Sequence, residues 1–92
     1  MMGTNKIITV IALNDHCEAM RVAAGLTIFG HEVNCIFVDR PIEENEENIQ
    51  SAELLEMCDI EPVTILDDPN MQKITQEAFM NKLNASNHLV SI

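Results

Sequence analysis

The chain has 92 residues, with five Lys and Arg against fifteen Asp and Glu for a formal charge of −10, and 47% of it is apolar. That describes one small acidic globular domain over residues 1–92. Two independent domains are excluded, and a chain this short buries only about 60 to 65% of its unfolded surface, so its core is thin and packing against a partner chain would reinforce it. The uncharged run 22–30 falls far short of the ~18 apolar residues of a membrane span. The acidic balance repels phosphate backbones and anionic lipid, which argues against nucleic-acid and membrane partners.

Residues 7–13 (IITVIAL) form a β-branched run that is apolar on both alternating faces, as a strand covered from both sides requires. Lys6 before this run imitates the start of a signal peptide, but Asn14, Asp15 and His16 stand where a small-residue cleavage site belongs. Asn14 and Asp15 cap a helix that runs to Phe29 and stops at Gly30. Its apolar residues cover more than one stripe, which suits a deeply buried helix or a subunit interface. Residues 33–38 (VNCIFV) repeat the strand signature, and Asp39, Arg40 and Pro41 end it. The acidic run 43–47 then leads into Ile49, Ala52, Leu55 and Cys58, whose spacing matches one helical face, with acids offsetting the positive end of the helix dipole.

Pro62 introduces a third strand at 63–66 (VTIL), and Asp67, Asp68, Pro69 and Asn70 supply turn and capping chemistry. Met71, Ile74, Ala78 and Phe79 recur at helical spacing, and residues 88–92 form a terminal strand. The expected order is βαβαβαβ, a three-layer α/β/α sandwich around a mainly parallel four-stranded sheet. Ligands in such sheets bind beyond the carboxyl ends of the strands. That rule brings Asn14, Asp15, His16 and Cys17, then Asp39, then Asp67 and Asp68, to one rim.

Cys17 falls in the first turn of a helix, where unpaired N–H groups favour a negatively charged sulfur and Asp15 and Glu18 oppose it. It is the leading nucleophile, with His16 as its proton partner; the plainer reading is a packed, unreactive thiol. Cys35 and Cys58 occupy core-like positions. The odd cysteine count, without a C-x-x-C pair, fits reduced thiols in the cytoplasm and gives no zinc site. No nucleotide-binding motif occurs, and His16, His31 and His88 lie on separate segments, so neither a cofactor nor a metal is expected.

Residues 7–15, the alanine-rich stretch 18–26 and the junction Phe29, Gly30, His31, Glu32, Val33 together resemble the DsrE/DsrF/DsrH-like sulfur-relay proteins. The likeness covers about the first 40 residues in sequence and the remainder by element order. It implies an α/β sandwich that assembles into homo- or hetero-oligomers, in which some subunits carry a persulfide on a cysteine and pass sulfur to a partner protein. The carrier cysteine of that branch lies in the loop after the third strand. Here residues 64–69 read Thr, Ile, Leu, Asp, Asp, Pro, so the carrier role does not transfer.

The resulting expectation is a DsrE-like, sulfur-relay-related or accessory subunit without the usual carrier thiol. Two alternatives stand beside it. One is a non-enzymatic oligomeric interaction module built on the apolar first helix. The other is a small-ligand or metal-binding regulator using Asp15, Asp39, Asp67 and Asp68.

Overall fold

The computed structural model describes residues 6–69 and 71–92. In chain order the elements are β1 (Ile7–Ala12), α1 (His16–Ile28), β2 (Glu32–Phe37), α2 (Glu46–Met57), β3 (Val63–Thr64), β4 (Gln72–Lys73), α3 (Gln76–Ala85) and β5 (His88–Ser91). The strands form one sheet in the order β4-β3-β2-β1-β5, and every neighbouring pair is parallel. The architecture is an α/β sandwich. No helix of the described residues is long and apolar enough to cross a membrane.

β1 is an interior strand, paired with β2 on one edge and β5 on the other, and its residues are mostly apolar on both faces. Its register with β2 sets Ile8 beside Val33, Val10 beside Cys35 and Ala12 beside Phe37. This face carries the core, closed by Ala19, Met20, Ala23 and Ala24 of α1 and by Leu55 of α2. The alanines let α1 lie close to the sheet, which leaves room for Met20 to be fully buried. On the other face Thr9 is fully buried and polar, and it is satisfied by the Ser86 hydroxyl at 2.5 Å and by the Asn34 amide at 3.3 Å.

The chain steps from β1 to β2 to β3 in one direction and returns across the sheet from β4 to β5. Right-handed crossovers therefore set α1 and α2 on one face and α3 on the other. α3 buries none of its residues, so this second layer is only lightly covered.

The expected four-stranded order is corrected to five strands, with β4 as the addition. Met71 and Ile74 follow helical spacing, yet they flank a strand: Ile74 N donates to Thr64 O at 2.8 Å, and Gln72 and Lys73 pair with Val63 and Thr64. The helix starts later because the Thr75 side chain caps it by accepting from Ala78 N at 3.0 Å. A connection as short as residues 65–71 suffices for this parallel pair because each strand contributes only two residues. Asn70, expected to act as a cap, lies outside the described residues.

On α2 the expected Leu55, Ala52 and Cys58 pack on the core, and Ile49 alone of that face departs. Asn48, Ser51 and Leu55 are buried, whereas Ile49 is 52% exposed. Polar groups occupy the inner face because they are paired there: Asn48 Nδ2 donates to Glu43 O at 2.7 Å, and Ser51 meets Cys17.

α1 ends as expected, with Phe29 as C-cap and Gly30 at φ 85°, a conformation that side-chain-bearing residues seldom adopt. Gly25 lies inside α1, and a methyl group there would meet nothing within 4 Å. Gly25→Ala is expected to stabilise the fold by about 0.5 to 1 kcal/mol through the cost of glycine in a helix interior. A higher midpoint with an unchanged slope in urea unfolding would show it.

Candidate functional site

The parallel sheet brings the ends of β1, β2 and β3 to one rim, and the first two form a shared polar site. Asp15 caps α1, its carboxylate accepting from Glu18 N at 3.1 Å. Capping turns the chain so that His16, the first helical residue, points inward, where it is 4% exposed. Its ring meets Phe37 edge to face, with centroids 4.9 Å apart at 88°. Its Nε2 lies 2.7 Å from Asp39 Oδ1.

Asp39 follows β2 and is shared between His16 and the Arg40 guanidinium. Arg40 also donates to Asn14 O at 2.8 Å. His16, Asp39, Arg40 and the Asn14 carbonyl thus tie the end of β1 to the end of β2. Burial pushes the Asp39 carboxyl up, but the hydrogen bond and charge of His16, reinforced by Arg40, outweigh it and hold the carboxyl below its ordinary range.

Cys17 stands one residue further on and is half-buried. Its Sγ lies 3.2 Å from Ser51 Oγ and 3.9 Å from Glu47 O, so its partners come from α2. His16 Nε2 is engaged by Asp39 on the other side of the α1 start. The expected pairing of His16 with Cys17 is therefore replaced by two separate pairs, His16 with Asp39 and Cys17 with Ser51. Ser51 escapes sequence reasoning because a serine between Gln50 and Ala52 carries no motif. Only its position three residues after Asn48 marks the inner face of α2.

A polar hollow of about 390 Å³ opens between these elements, lined among others by Cys17, Arg40, Glu43 and Glu47. Arg40 supplies a cation there, but Asp39 already binds it.

The remaining rim carboxylates are dispersed. Asp68 is 9% exposed, and its Oδ2 accepts from Ile42 N at 3.4 Å, which joins the β3 end to the loop after β2. Asp67 points outward to Lys73 at 2.8 Å, whose hydrogen bond and charge hold its carboxyl below the usual range. Among the described residues no group of three or more His, Cys, Asp or Glu side chains converges as a metal ligand set. The four aspartates of the metal-regulator alternative each answer a different local partner.

Two other features bound the chemistry. Burial pushes the Cys35 thiol up to about 12, so it is no nucleophile at neutral pH. At the crevice between β1 and β5, where strand order reverses, Leu13 N and Asn14 N both donate to Ile92 O, at 2.8 and 3.0 Å.

The depressed Asp39 carboxyl makes stability depend on acid. A group whose folded value lies below its unfolded value of ~3.9 stabilises fully above that value and loses its contribution as pH falls through the folded one. Asp39→Asn is expected to be less stable than the native protein at pH 7, with the gap closing as pH is lowered below 4. Urea midpoints measured at several pH values would test this; a constant gap would remove the Asp39 charge as the cause.

Compared with known proteins, the chain matches no family model, no curated protein and no solved structure.

Proposed function

We propose that the chain is a small DsrE-like α/β subunit of the accessory kind, sulfur-relay-related, that works by binding other chains rather than by carrying sulfur. The observation that carries this reading is the state of the rim thiol. Cys17 is half-buried against α2 and hydrogen-bonded to Ser51, and its neighbour His16 is held by Asp39. A sulfur carrier needs a thiolate that a partner can reach and a group that takes its proton. The loop after β3, where the resembled family holds its carrier cysteine, presents Asp67 and Asp68 instead, and their charge opposes a persulfide anion.

Exposed apolar residues support a binding role. Ile28 and Phe29 at the end of α1 are 79% and 77% exposed, and Met57 at the end of α2 is 82% exposed. Single exposed apolar residues are ordinary, but a small domain with a thin core gains by covering several of them against a homo- or hetero-oligomeric partner. Free thiols at Cys17, Cys35 and Cys58 support a reducing, cytoplasmic setting.

The test is to incubate the reduced protein with a low-molecular-weight persulfide donor, remove the donor and read the intact mass. The expected result is no retained one-sulfur gain on any cysteine peptide. A retained gain on the Cys17 peptide, abolished in Cys17→Ser, would overturn the accessory reading and make Cys17 a relocated carrier.

A further inference from the structure

α2 leaves an apolar groove along its flank that adjoins the rim hollow at Glu43 and Asn48 and continues away from it. One hollow, of about 160 Å³, is floored by Ile42, Ile49, Ala52, Pro62 and Met71. A second, of about 480 Å³, continues from it, since Ala52 and Pro62 line both. Ile49 sits at core spacing in the sequence, yet it is 52% exposed on this floor because Asn48 and Ser51 take the inner face. The apolar hollow alone, at about 160 Å³, is of the size that takes one side chain, and the larger hollow beside it is bordered by carboxylates.

The groove's two ends are acidic. Glu43 and Glu44 border the smaller hollow, and Glu56, Asp59 and Glu61 border the larger. No lysine or arginine occurs between Arg40 and Lys73, and those two flanking cations are bound by Asp39 and Asp67. The groove therefore pairs an apolar floor with a strongly negative border. This pattern repels a second copy of the same acidic chain and attracts a basic one.

We propose that this groove docks a basic amphipathic segment of a partner protein, which inserts an aliphatic anchor over Ile49 and Ala52 and sets Lys or Arg side chains against the acidic ends. The proposal rests on the reading of the chain as a binding subunit and supplies the partner's chemistry. The anchor provides the apolar burial, and the charges steer the encounter and fix its direction along the groove.

The test uses the full chain and a short synthetic amphipathic peptide of Lys and Leu, with two control peptides: one with Ser for Leu, the other with Glu for Lys. Binding is followed by fluorescence anisotropy and by amide shifts in NMR. The Lys/Leu peptide is expected to bind and to shift amides of residues 42–62, and to bind about tenfold more weakly to Ile49→Ser and to Glu56→Lys/Glu61→Lys. Raising the salt concentration should weaken it further. Met80→Ser, exposed on α3 and outside the groove, should leave binding unchanged.

Absence of binding, shifts confined to another surface, or equal binding of the Ser-substituted basic peptide would each overturn the proposal. Binding of the Glu-substituted peptide as tightly as the Lys/Leu one would overturn the charge assignment. Failure here leaves the persulfide result untouched, since that experiment reads Cys17 and this one reads α2.

Discussion

Parallel pairing on both edges of β1 is the constraint from which the rest of the molecule follows. A parallel neighbour cannot be reached by a tight turn, so each crossover carries chain over a face of the sheet, and the sheet becomes covered on both sides. The same pairing sends the ends of β1, β2 and β3 to one rim. His16 and Asp39 meet there, with Arg40 and the Asn14 carbonyl, because of strand direction, with no local sequence motif drawing them together. The register that sets Ala12 beside Phe37 also sets the ring against which His16 packs.

Much of this was legible in the residues, and the parts that were not share a physical cause. β1, β2, α1 and the Gly30 stop declare themselves through long β-branched runs, an N-cap aspartate and a positive-φ glycine, all local signals. β4 declares nothing, because a two-residue strand of Gln and Lys is polar, exposed and held by main-chain bonds that any sequence can make. α2 misleads in a different way. Of the expected face, Leu55, Ala52 and Cys58 do pack on the core, but Asn48, bonded to Glu43, and Ser51, against Cys17, also turn inward and Ile49 is left outside. Hydrophobic periodicity reports which face is favourable to bury, whereas the partners that let Asn48 and Ser51 be buried without loss lie outside the helix, on Glu43 and Cys17. At the rim, sequence order brought the right residues forward but could not assign partners among them. His16 and Cys17 are adjacent in the chain and point to different elements.

The rim contains an electrostatic clamp centred on Asp39. Asp39 accepts from two directions, and a buried or half-buried carboxylate placed between an imidazole and a guanidinium is held in one orientation. Such a group fixes two loops relative to each other, and rigid loops present a defined outer surface. The docking proposed for α2 would profit from that rigidity, because the loop carrying Ile42 and Glu43 starts immediately after the clamp and is pinned again by Asp68.

The hydrogen bonds from Leu13 and Asn14 to Ile92 reach beyond the local geometry. In sheets of this topology the gap at the reversal of strand order is where exposed amides greet a phosphate or a carboxylate. Here a single carbonyl oxygen satisfies both amides, so the scaffold carries its own occupant at the place where its architecture would invite an anion. The two amides that such a crevice would turn toward an anion are spent on the chain's own oxygen.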